Sequence, residues 1–337
     1  MMVDVTSWIE RARRLTDEVL APHASAVDRD GEIPQAHFDA LAEAGFYGIS
    51  MREDIDLAAF TEVGEMLVAG CLATSFVWAQ HLGVARRVAS SPNVALRERF
   101  SADLRAGRVR SGVTYAGAAE QPALVAHRMD GGFAIEGKAP FITGWGMVDV
   151  VGVVARDAAD DQSLISVIVP AEESPRLSVR PIPLTAADAS RTVTARFEGL
   201  RVPDSAVDNR LSLKSFHASF VVAAWRNGSL ALGIVRRCLA ELDQLGIDTT
   251  ALATERGAIR TELDASLSGS ADVYLTRARA SELAMRAASA LFTATGSTAI
   301  TRGTSAERSL REAAFTLVFG SRPGIKTALL DRFTSMP

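Results

Sequence analysis

Four charged side chains crowd one short stretch of this sequence: Glu307, Arg308, Arg311 and Glu312. A carboxylate beside a guanidinium can carry a proton or hold an anion, so these residues are chemically able to act. Their i, i+4 spacing, however, is that of a salt-bridged helix face. Glu120 is a lone acid in a loop, a position that is ordinarily solvated. The five histidines, His23, His37, His81, His127 and His217, show no HExxH or other metal-ligand spacing. His81, following Phe76, Val77, Trp78 and Ala79, is the best placed of them to face a pocket. Cys71 and Cys238 lack the CxxC or Cys/His spacing of a zinc site and fit a reducing cytoplasm. Trp145 and Trp225 are large enough to line a cavity, and Gly144 and Gly146 around Trp145 suggest a turn close to a ligand.

The elements that must position such groups follow from periodicity. In the first hundred residues apolar positions recur every three or four: Trp8 to Leu20, ending near Pro22, then a helix beginning at Pro34 and closed by Gly45, then Phe60 to Ala69, Thr74 to Ala89, and Val94 to Ala106. After Gly107 the period falls to two. Short runs at Val109 to Tyr115, Leu124 to Met129, Phe133 to Glu136, Val148 to Arg156, Ser163 to Val169 and Thr192 to Phe197 read as strands, with a hairpin turn at Asp130, Gly131 and Gly132. From Leu211 helical periodicity returns, near Phe216 to Leu245, Leu252 to Leu267, Ala271 to Thr295 and Ser305 to Phe319. The expected class is α+β, mostly α: an N-terminal helical domain (1–107), a middle antiparallel β-domain (108–208) and a C-terminal helical bundle (209–337).

The chain has 337 residues, of which 48% are hydrophobic and 23% charged, enough apolar content for a large core. Its net charge of −4, with Lys and Arg dispersed, offers no basic stripe for nucleic acid. Met1 to Arg14 holds Asp4, Glu10 and three arginines, unlike a signal peptide, and no run approaches the roughly 20 apolar residues of a membrane span.

Helices, then a β-domain, then a bundle is an uncommon order, and five local motifs accompany it: HFDALAEAGFYGIS (His37 to Ser50), DGGFAIEGKAPFITG (Asp130 to Gly144), RTVTARFEGLRVP (Arg191 to Pro203), LALGIVRRCLAEL (Leu230 to Leu242) and AERSLREA (Ala306 to Ala313). In this order the chain resembles the acyl-CoA dehydrogenase flavoproteins, as a short, divergent member. The resemblance implies FAD as cofactor, an acyl-CoA or acyl thioester as substrate, α,β-desaturation, electrons leaving to an electron-transfer flavoprotein, and a homo- or hetero-oligomer. It implies that Val113, Thr114, Phe141, Ile142 and Thr143 line the flavin, and that Gly296 belongs to a turn meeting a partner's adenine.

The sequence also departs from the family pattern. Counting from Arg311 and Glu312, the usual catalytic glutamate falls on Gly320, and its alternative position falls near Ala223, so no catalytic residue is assigned. Glu120, Glu312 or another chain would have to supply the base. Between Leu245 and Leu252 the Arg and aromatic segment that reaches a partner's flavin pyrophosphate is missing. Ser297 and Ala299 stand where glycines are usual, and Tyr115 to Ala118 replace an acidic, Gly-Ser-Asp loop. Two further functions are compatible with the scaffold: a non-catalytic or half-site subunit of a heteromeric dehydrogenase, and a flavin monooxygenase.

Overall fold

The computed structural model describes residues 5–53 and 55–335; the N-terminal reading at Met1 to Asp4 lies outside them. Six helices lead: α1 (Val5–Leu15), α2 (Ala21–Asp30), α3 (Gln35–Glu43), α4 (Leu57–Gly70), α5 (Leu72–Ala89) and α6 (Val94–Ala106). The first helix does not stop at Pro22 as expected. A π turn at Thr16–Leu20 widens the ladder, with the Ala21 N–H donating to the Thr16 carbonyl, and Pro22 falls in the first turn of α2, where its missing N–H costs nothing. Pro34 caps α3 rather than opening it, and Gly45 takes the left-handed φ of 79° that ends that turn. Asp56 and Asn93 accept the backbone N–H groups of Ala59 and Leu96 at the starts of α4 and α6.

The middle of the chain forms one sheet: β1 (Ser111–Thr114), β2 (Leu124–Met129), β3 (Gly132–Ile142), β4 (Val150–Asp157), β5 (Ser163–Pro170), β6 (Leu177–Pro181), β7 (Val193–Pro203) and β8 (Val207–Ser212). Its order is β6-β7-β3-β2-β4-β5-β8, with β1 beside β4. Pairing is antiparallel except for β1 and β2, which each run parallel to β4. Met129 pairs with Gly132, so Asp130 and Gly131 form the expected tight turn, Gly131 at φ 70°. The strands β6 and β8, not foreseen from periodicity, are partly exposed edges with few apolar residues, so the alternation signal is weak there.

The rest is helical: α7 (Leu213–Ala218), α8 (Phe220–Gln244), α9 (Thr250–Ser266), α10 (Val273–Thr295), α11 (Ser305–Val318) and the unforeseen α12 (Pro323–Thr334). The run Leu213–Gln244 has the length and hydropathy of a membrane span, and half of its most apolar window is buried inside the molecule. It packs on α4 and α10. Gly233 lets it approach α4, since a β-carbon there would lie 2.7 Å from the Val68 Cβ. In α10 the buried alanines Ala278, Ala280, Ala284, Ala287 and Ala288 do the same work. Glu65 of α4, 1% exposed, ion-pairs with Arg256 and Arg260 of α9 and ties the N-terminal helices to the bundle.

Candidate active site

The strand β1 is four buried residues long, and Gly112 within it lies against the end of β3. A β-carbon at Gly112 would lie 2.9 Å from the Thr143 carbonyl oxygen and 3.5 Å from Ile142 Cγ2. The two predicted segments, Val113-Thr114 and Phe141-Ile142-Thr143, therefore meet at one corner of the sheet. Their side chains differ in availability. Ile142, 1% exposed, belongs to the sheet core, whereas Phe141 is 60% exposed. Val113, Thr114 and Thr143 are buried close to the accessible surface. Among the described residues the Thr114 hydroxyl has no hydrogen-bond partner.

Thr143 is held from behind. Its Oγ1 lies 3.1 Å from that of Thr192, which is 3.0 Å from Ser190 Oγ. The Gly144 N–H donates to the Ser190 carbonyl and the Trp145 N–H to that of Arg191. This receiving segment is strained: Ala187 and Arg191 have φ values of 56° and 46°, each costing of the order of 1 kcal/mol for a residue with a β-carbon. Gly144, at φ 91°, is wedged between Val148 and Val77, so no side chain fits there. Strain gathered at an edge that presents an open aromatic ring is the kind of feature a ligand site retains.

The helix α5 roofs this corner, and His81 fixes it there. The Ser111 N–H donates to His81 Nδ1 at 3.2 Å, which leaves Nε2–H to donate to the Leu104 carbonyl at 3.1 Å. Burial pushes the ring's pKa down to about 4, so it stays neutral in that tautomer. His81 thus sits in the core as a structural pin rather than facing a pocket.

On the bundle side Tyr115, directly after Thr114, lies 5.3 Å from Phe216, which is 5.4 Å from Phe220. The Arg322 guanidinium covers Phe220 at 3.7 Å. Phe76, Phe315 and Phe319 pack as a trio. Arg277, fully buried and without a carboxylate partner among the described residues, donates to the Thr316 carbonyl at 2.7 Å and the Phe319 carbonyl at 3.4 Å, fixing the chain just before Gly320. Gly320 lies against the Asn227 side chain, whose amide nitrogen a β-carbon would strike. Arg226, Asn227 and Arg322 escaped the sequence reading, although two polar residues in the apolar run of α8 were a signal that could have found them.

The candidate carboxylates are not aimed at this corner. Glu312, 3% exposed, bonds Arg237 at 2.5 Å and lies 3.8 Å from Arg308. Glu307 is bonded to Arg311, which also grips Asp28. Glu120 is exposed on the loop beyond Tyr115. Gly296 ends α10 at φ 75° on the bundle, and a β-carbon there would meet nothing within 4 Å; the chain does not bring it to the sheet corner. Trp145 is half-buried against the sheet core. Trp225 is a bundle residue, stacked on Phe60 with its Nε1–H donated to Asp264. Only Leu245–Thr249 joins α8 to α9. Among the described residues no group of three His, Cys, Asp or Glu is placed to hold a metal ion.

Comparison with known proteins agrees with this architecture. Residues 5–108 match the family model described as acyl-CoA dehydrogenase, N-terminal domain. Benzylmalonyl-CoA dehydrogenase of Aromatoleum aromaticum is 31% identical over 249 residues, 67% of this chain and 63% of that relative, so the match spans less than two thirds of the relative's length. A glutaryl-CoA dehydrogenase from Mycobacterium smegmatis superposes with a TM-score of 0.83 at 18% identity, covering 100% of this chain and 96% of that one. A glutaryl-CoA dehydrogenase from the same organism, in complex with FADH2, superposes with a TM-score of 0.79 at 16% identity, covering 99% and 95%. At such identities the structural likeness establishes the fold.

Proposed function

We propose, for a chain that belongs to the acyl-CoA dehydrogenase family, that it is an FAD-dependent oxidoreductase acting on an acyl-CoA thioester. The observation that carries this reading is the meeting of Thr114, Phe141 and Thr143 at one sheet corner, with Phe141 open and the Thr114 hydroxyl unbonded. An isoalloxazine needs an apolar wall with a few placed polar groups, and that corner fits its ring: Phe141 against a face, Thr114 and Thr143 toward its polar edge. FAD, when bound, supplies the hydride acceptor for α,β-desaturation. In this reading the chain's own residues orient the acyl group between the sheet corner and the segment Phe319–Ser321, and electrons leave to a separate acceptor such as an electron-transfer flavoprotein. The short α8–α9 connection and the distant Gly296 fit the dinucleotide's other half only through a second subunit, which supports a homo- or hetero-oligomer.

Desaturation also requires a base for the α-proton. The Gly320 contact with Asn227 favours a second reading, in which this chain is the half of a heteromer that lacks the base and another subunit provides it. Within the first reading the remaining candidate is Glu120, because Glu312 is held by Arg237. Purification with and without a flavin supplement, followed by flavin quantification per chain and product analysis with Glu120→Ala, tests both. Bound flavin and turnover lost in Glu120→Ala support the solitary enzyme. Bound flavin without turnover supports the half-site subunit. A chain that takes up no flavin refutes the leading reading.

A further inference from the structure

The loop between β6 and β7, residues 182–192, belongs to the sheet in sequence and to the helices in packing. Ala187 and Ala189 are buried in the helical core and not in the sheet core, and the short 3-10 turn Asp188–Ser190 lies against α2 and α5. The far end of the loop returns to the sheet. There the Ser190 carbonyl accepts from the Gly144 N–H at 2.8 Å, and Ser190, Thr192 and Thr143 are linked hydroxyl to hydroxyl at 3.0 and 3.1 Å. The place of Thr143 at the sheet corner is therefore set by a loop that the helices hold.

Two residues of this loop, Ala187 and Arg191, sit at positive φ despite carrying a β-carbon. Strain of that kind persists only where the surroundings fix it. From within, Asp188 Oδ1 accepts the Leu184 N–H at 2.7 Å and the Ala187 carbonyl accepts the Ser190 N–H at 2.9 Å. From the bundle, among the described residues, Arg311 of α11 is the side chain that reaches in: its Nη1 donates to the Thr185 carbonyl at 2.8 Å. The same guanidinium is aimed by a two-pronged bond to Asp28 of α2, at 3.1 and 2.5 Å, and by Glu307 one turn back on α11, 2.5 Å from Nε. A planar fork of N–H donors serves all three acceptors at once, whereas an ammonium lacks that geometry. One side chain thus ties the bundle and an N-terminal helix to the strained loop whose carbonyl receives Gly144.

We propose that Arg311 is a positioning residue: its bond to the Thr185 carbonyl keeps the 182–192 loop in its strained form, and through Ser190 and Thr192 that form places Thr143 and Gly144 at the flavin's edge. Arg311 acts through the loop and not on the ligand. The inference rests on the flavin reading above.

The full chain, freed of flavin, is titrated with FAD by fluorescence quenching, and the absorption spectrum of the loaded protein and its melting temperature are recorded. Arg311→Met is expected to bind FAD about tenfold more weakly, the scale of the strain that one such residue stores, and to shift the flavin's absorption bands. Arg311→Lys keeps a charge facing Asp28 and Glu307 and is expected to hold an intermediate affinity. Asp28→Asn leaves the Thr185 bond in place and is expected to lower the melting temperature with FAD affinity retained. Arg191→Gly added to Arg311→Met is expected to restore part of the affinity, because glycine takes a φ of 46° without strain.

FAD affinity and spectrum of Arg311→Met equal to the parent's would overturn the inference and leave the flavin reading standing. Should Arg311→Met fail to fold, parent-like FAD binding by Arg311→Lys overturns it in the same way. A loss of affinity that follows the melting temperature through every variant, Asp28→Asn included, would make Arg311 a stabilising residue only and overturn it too. A parent chain that binds no FAD would overturn the inference together with the reading beneath it.

Discussion

Gly320 and Asn227 are packed so closely that a β-carbon on the glycine would collide with the amide nitrogen, and the glycine takes a φ of 57° that favours residues without a side chain. Gly320→Glu is therefore expected to destabilise the protein by about 1 kcal/mol or more and to bring no desaturation activity. Combining it with Asn227→Gly relieves the collision and is expected to recover part of the loss. Melting curves and product analysis check this; a single variant as stable as the parent and newly active would contradict it.

Phe141 is open to solvent, so its truncation removes little folding energy. Phe141→Ala is expected to change stability by no more than about 0.5 kcal/mol while lowering flavin per chain and flavin affinity. Absorbance of the purified variant beside its urea denaturation curve separates the two effects. Undiminished flavin would remove Phe141 from the site.

His81 makes stability depend on pH in a defined direction. Its folded pKa, pushed down by burial to about 4, lies below the ordinary value of 6.5. Between those values the unfolded chain binds more protons, so the stabilisation is complete above about pH 6.5, falls as the pH drops, and is exhausted near pH 4. The full loss is about 3 kcal/mol. His37, buried and also held near 4, adds to the same slope. Melting temperatures across this range are expected to fall toward acid, and His81→Gln to flatten the decline. An unchanged slope would show that the ring is protonated in the fold.

Glu65 carries two ion pairs from within the core between α4 and α9. Glu65→Ala leaves Arg256 and Arg260 without their shared partner and is expected to cost about 3–5 kcal/mol. The denaturation midpoint measures it. A loss below about 1 kcal/mol would show that the arginines are satisfied by water.

The sequence disclosed those parts of the fold whose signal is local. The helix read at Val94 to Ala106 forms over those residues, with Asn93 and Gly107 at its ends, and Asp130-Gly131 made the turn that a left-handed glycine allows. Pro22 misled because the π turn that accommodates it leaves no mark in the apolar period. The edge strands β6 and β8 were hidden because partly exposed edges need no alternation. Phe141 and Thr114 were legible through motif likeness, but their meeting depends on Gly112 passing the Thr143 carbonyl, a contact between strands distant in sequence. Arg226 illustrates the reverse limit: its residue type was in view, and its lack of a partner among the described residues became visible only when its neighbours were placed.

The most direct test is to purify the protein gently, record its absorption in the near-ultraviolet and blue, quantify released flavin per chain, and add a mixed set of acyl-CoA thioesters without oxygen. Near-stoichiometric flavin that bleaches on addition of thioester is the result expected of an FAD-dependent acyl-thioester oxidoreductase. A colourless protein that stays colourless after FAD is supplied would contradict it.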